Sequence, residues 1–94
     1  MKNIKKVLIS LAVVMALATG GVTALAYTSY VGGGTWNYGN YVGYAYSDYY
    51  HGSKDHSSTV IVGNRSNRDL AGRGDWSQAG LWTKSGASYY YNYW

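Results

Sequence analysis

Tyr44–Val62 reads YAYSDYYHGSKDHSSTVIV. Tyr, Thr, Val and Ile fit a pleated, half-buried surface, and they recur on both sides of Gly52-Ser53. Gly-Ser is a turn dipeptide. The pattern predicts two strands folded back on each other about His51–His56. In that register His51 faces His56, Tyr49 faces Ser58, Ser47 faces Val60 and Ala45 faces Val62. Tyr44, Tyr46, Asp48 and Tyr50 share the opposite side with Ser57, Thr59 and Ile61. Side chains alternate along a strand, so a slip of one residue would exchange the two faces.

Working outward, Gly63–Asp75 (GNRSNRDLAGRGD) reads as a long polar loop, with a short strand around Arg68–Ala71. Trp76–Lys84 returns to strand character, Ser85-Gly86 is a turn, and Ala87–Trp94 is a final aromatic strand. Pairing Lys84 with Ala87 would set Trp82 opposite Tyr89. Upstream, Tyr27–Gly34 reads as a flexible lead because Gly32-Gly33-Gly34 has no side chains to pack. Thr35–Tyr38 is a short strand, Gly39-Asn40 a turn, and Gly43 a bulge or close-packing point. The chain has no Pro, and no helical periodicity follows residue 26. Short strands joined by close turns predict an all-β fold, a small antiparallel β-sandwich.

Residues 1–26 read differently. Lys2, Lys5 and Lys6 precede an apolar run, Val7–Leu17, and Ala24-Leu25-Ala26 places small residues where a signal peptidase inspects them. This order predicts a helical secretory signal peptide cleaved after Ala26, and a secreted, extracellular product. Gly20-Gly21 resembles the double-glycine site of leaders cut by dedicated exporters, but the apolar core favours the general secretory route.

The expected mature domain, residues 27–94, has 68 residues. The precursor carries net charge +4. The mature chain keeps Lys54, Lys84, Arg65, Arg68 and Arg73 against Asp48, Asp55, Asp69 and Asp75, a net +1. The basicity therefore belongs mostly to the export signal, which speaks against a nucleic-acid partner. No Cys is available to staple so small a chain. All 12 Tyr and all 4 Trp follow residue 26 and must supply the core.

Four chemistries can be weighed. His51, Asp55 and His56 lie close in sequence, but a divalent metal normally takes more ligands, and the reading predicts no metal or other cofactor. A Ser–His–Asp triad is recognised by geometry rather than by possession of the residues, and a domain this small has little room for a deep pocket. The protein is not expected to be an enzyme. Lys54, Arg65, Arg68 and Arg73 are candidate phosphate contacts, since Arg offers a fork matched to phosphate oxygens. Tyr46 and Tyr50 are candidate contacts for sugar rings or headgroups.

The segment Tyr38-Gly39-Asn40-Tyr41-Val42 approaches the signature of pediocin-like bacteriocins, but Tyr41 replaces its second glycine and the cysteines are missing. A wider match covers nearly the whole mature chain. Gly34-Thr35-Trp36, Ala45-Tyr46-Ser47, Tyr49, His51-Gly52-Ser53-Lys54, His56-Ser57, Thr59-Val60, Ala79-Gly80, Trp82, Lys84 and the ending Ala87–Trp94 resemble, in order and spacing, the lactococcin 972 family of bacteriocins. The match is poorest at residues 63–77. The resemblance implies a secreted β-sandwich that binds the cell-wall precursor lipid II and blocks septum formation without pores. It also implies a homodimer, and immunity or export proteins as partners in the producer. The alternative is a small secreted carbohydrate-binding or adhesion module without killing activity.

Overall fold

The computed structural model describes residues 12–16, 25–84 and 86–94. They form eight strands: β1 (Ala12–Ala16), β2 (Leu25–Val31), β3 (Gly34–Tyr41), β4 (Tyr44–Tyr50), β5 (His56–Val62), β6 (Arg65–Ala71), β7 (Trp76–Trp82) and β8 (Ala87–Tyr93). Two antiparallel sheets result, in the orders β1-β8-β5-β6 and β2-β3-β4-β7. The all-β sandwich expected from the strand pattern is the architecture found.

The pairing of Tyr44–Val62 differs from expectation. β4 and β5 are not a hairpin. β4 lies between β3 and β7, whereas β5 lies between β8 and β6 in the other sheet. The inward side chains nonetheless follow the expected parity. Ala45, Ser47 and Tyr49 face Ser58, Val60 and Val62 across the sandwich instead of along a ribbon. The loop is why. The His51 ring accepts N–H bonds from Ser53 (3.2 Å) and Lys54 (3.1 Å) at Nδ1, curling His51–Asp55 into an arch that carries the chain between sheets.

Neighbouring expectations shift with it. Trp82 pairs with Tyr44, and Tyr89 with Val60, so β7 and β8 are not partners. The polar segment is largely strand: β6 runs from Arg65 to Ala71. The supposed lead is β2, and Gly39-Asn40 lies inside β3, whose turn into β4 is Val42-Gly43. Of the expected helical signal segment, Ala12–Ala16 is described, and it is an extended strand on the β8 edge; the cleavage point after Ala26 falls within β2.

The core is aromatic. Trp36, Tyr38 and Tyr49 of one sheet meet Tyr89 and Tyr91 of the other, with ring centroids at 4.9 Å (Trp36–Tyr91), 5.5 Å (Tyr38–Tyr89) and 4.8 Å (Tyr49–Tyr91). Each ring removes roughly 150–250 Å² from water, which lets few residues supply a core. Buried polar atoms are mostly matched. Trp36 Nε1–H donates to Ser47 Oγ (2.9 Å), and the Ser47 hydroxyl donates to the Tyr90 carbonyl (2.9 Å), tying the two sheets. The Tyr49 hydroxyl donates to the Val31 carbonyl (2.8 Å); burial, then the Tyr91 and Tyr93 hydroxyls, raises its pKa.

The glycine run before β3 serves this packing. Gly32 has φ +64°, and a Cβ there would meet the Tyr93 ring and the Tyr49 hydroxyl. A Cβ on Gly34 would collide with the Tyr50 carbonyl and the Tyr49 ring. These residues are bare because aromatic rings lie on them, not because the segment is loose.

Candidate functional site

The outward face of the β2-β3-β4-β7 sheet is built from side chains that alternate with the core. Register aligns them in four rows across the strands. One row is Tyr30, Thr35, Tyr50 and Trp76. The next is Thr28, Asn37, Asp48 and Gln78. The third is Ala26, Gly39, Tyr46 and Gly80. The last is Tyr41, Tyr44 and Trp82. Aromatic rows thus flank a polar belt and a row whose one large side chain is Tyr46.

The aromatic rows are arranged and partly open. Tyr50 and Trp76 have centroids 5.5 Å apart, and Tyr44 and Trp82 4.8 Å apart. The Tyr44 ring lies over Gly80, where any Cβ would collide with it. Trp82 is 68 % exposed, Tyr30 81 % and Trp76 43 %. In the belt, the Thr28 hydroxyl donates to Asn37 Oδ1 (2.8 Å). Burial, and then the Asp69 carboxylate, pushes the Asp48 carboxyl up to about 6. Burial and then Asp48 raise the pKa of the Tyr46 hydroxyl.

The six residues singled out from sequence fall on separate surfaces. Tyr46 and Tyr50 lie on this outer face. Lys54 is exposed in the β4–β5 arch, and Arg73 lies at the same end, 3.8 Å from Asp55 in an exposed ion pair. Arg65 begins β6 opposite Val62, and Arg68 sits opposite Thr59 on the outer face of the other sheet. Adjacent parity puts Arg65 and Arg68 on opposite faces of β6. The four cations are not gathered into one cluster.

The two histidines are spent on the backbone. His51 Nε2 donates to the Gly32 carbonyl (2.9 Å), while its Nδ1 accepts the arch amides. His56 sets Nδ1 2.7 Å from the Lys54 carbonyl and Nε2 2.8 Å from the Asp75 carbonyl. Together they fasten the β2–β3 turn, the arch and the β6–β7 turn. Among the described residues no cluster of three metal-ligating side chains occurs.

Sequence reading set Tyr44 and Asp48 on one face with Tyr46 and Tyr50, but missed Trp76, Trp82, Asn37 and Gln78 as members of that surface. The signal was present in the alternation of Trp76, Gln78, Gly80 and Trp82 along β7, but the surface emerges only when β7 is set beside β4.

Fold and surface together define a small all-β sandwich protein with an aromatic face and dispersed cations. The family described as Bacteriocin (Lactococcin 972) matches residues 32–94, and the chain belongs to it. Among solved structures the chain is similar to Lactococcin 972, at 44 % identity and a TM-score of 0.56, over 65 % of this chain and 98 % of that one. No curated protein matches. β1 and β2 precede the matched range.

Proposed function

We propose that the protein is a secreted antibacterial that kills by sequestering the cell-wall precursor lipid II and blocking septum formation, without pores and without turnover. Membership of the bacteriocin family carries this reading. The surface chemistry supports it. An exposed Arg73–Asp55 pair at 3.8 Å is worth little by itself, so the guanidinium is available to a phosphate. Lys54 shares that end of the molecule and would be the second phosphate contact, and Tyr50 and Tyr46 would meet the sugars; Arg65 and Arg68 lie on other surfaces and would not reach the same phosphates. No helix among the described residues is long and apolar enough to cross a membrane.

A homodimer belongs to the same proposal. Removal of residues 1–26 would take away β1 and leave the β8 edge open to a strand from a second copy. In the producer, an immunity or export protein would be the expected partner.

Co-sedimentation with vesicles that contain or lack lipid II tests the reading. Lipid II should increase the bound fraction, and Lys54→Ala with Arg73→Ala should reduce that increase. Equal binding to both vesicles would contradict it.

A further inference from the structure

The four-row face has a chemistry that the phosphate reading does not use. Its polar and aromatic side chains include no Lys, Arg or His, and its one charged group is the Asp48 carboxylate. A phosphate or an anionic headgroup finds no counter-charge within the four rows; Lys84 lies only past their end, lining a cavity with Trp82 and Val42. Insertion into a lipid bilayer would drive Thr28, Asn37, Asp48 and Gln78 into the interface at the middle of the face, and no long aliphatic side chain flanks them. Exposed aromatic side chains gathered on one face in this way mark a binding surface.

What fits is a pyranose chain. The face of an aromatic ring is electron-rich and attracts the C–H groups of a sugar ring. Amide, hydroxyl and carboxylate groups in the belt can pair with sugar hydroxyls and acetamido groups. Tyr44 and Tyr50 are six residues apart on β4, about 20 Å at about 3.3 Å per residue. The two aromatic rows therefore span a short oligosaccharide rather than one sugar.

We infer that the outer face of the β2-β3-β4-β7 sheet is a binding site for an uncharged glycan strand, with Trp76 and Tyr50 holding one end and Trp82 and Tyr44 the other. This goes beyond lipid II sequestration: it shares Tyr50 and Tyr46 with that reading but needs no phosphate contact, so either can fail without the other. It would hold the protein on polymerised wall material while the cations remain free.

Depletion of the purified protein by insoluble chitin and cellulose, both uncharged, tests the site, together with tryptophan emission during titration with chito-oligosaccharides. Retention on chitin is expected, unchanged by moderate salt, with affinity rising from disaccharide to tetrasaccharide. Trp76→Ala and Trp82→Ala should each weaken binding about tenfold. Trp82→Phe should retain most of it, and Arg68→Ala should leave it unchanged. Circular dichroism of each variant checks the fold. No retention on either polymer overturns the proposal, as does wild-type retention by both alanine variants. Binding to phosphatidylcholine vesicles that the same alanine substitutions abolish, without glycan binding, would assign the face to membranes instead.

Discussion

Ser47 joins three parts of the core with one hydroxyl, accepting from Trp36 and donating to Tyr90 across the sandwich. Ser47→Ala leaves a buried indole N–H and a carbonyl without that partner, at a cost of about 1–3 kcal/mol. In a domain this small that should lower Tm by at least about 4 °C in a thermal melt. An unchanged Tm would remove the bridge from the account. Val42 is the opposite case. It holds φ at +49° in the β3–β4 turn while 61 % exposed, so its side chain contributes little packing to offset a conformation disfavoured for a β-branched residue. Val42→Gly should raise stability, by about 1 kcal/mol, as read from the urea midpoint. Asp48 adds a pH dependence. Its folded pKa, about 6, exceeds the ordinary value of 3.8, so the native state holds the proton more tightly than the unfolded chain. Its contribution is fully present below the ordinary value and is lost as pH rises through about 6. Urea midpoints from pH 4 to 7 should fall in the wild type and flatten in Asp48→Asn.

At the scale of elements, the exposed edge of β7 is the weak point, and β6 covers it. Asp69 Oδ2 accepts from the Gln78 amide (2.8 Å) and Asn67 Oδ1 from the Gly80 amide (3.0 Å). Two side chains of one sheet thereby stand in for a missing strand of the other, which blunts an edge otherwise free to pair with another chain. The double variant Asn67→Ala/Asp69→Ala should self-associate more than wild type in sedimentation velocity. The same elements show what the sequence made legible. Parity was readable along β4, β5 and β8, because alternation is local, and so was the all-β class. The partners of each strand were not, because Tyr and β-branched residues suit almost any neighbour and the arch at His51–Asp55 resembles a hairpin turn. β6 was read mainly as a loop, since Arg65, Ser66, Asn67 and Arg68 lack apolar alternation; its polar residues cap β7 and face solvent. Gly32–Gly34 looked like flexibility, and only the positions of Tyr49 and Tyr93 reveal close packing.

For the whole molecule, two surfaces divide the chemistry. The rows of the aromatic face carry a single carboxylate, whereas Lys54, Arg65, Arg68 and Arg73 lie on the arch end and on β6, and Lys84 stands just past the Trp82 end of the face. The candidate site was therefore half legible: residue types pointed to phosphate and sugar, but only three-dimensional placement separated them. The most direct test adds purified protein to growing Gram-positive cells related to the producer, recording growth, septum formation and membrane potential with and without lipid II. Blocked septa at intact potential, relieved by added lipid II, is the predicted result. Rapid depolarisation, or undisturbed division across such a panel, would contradict sequestration.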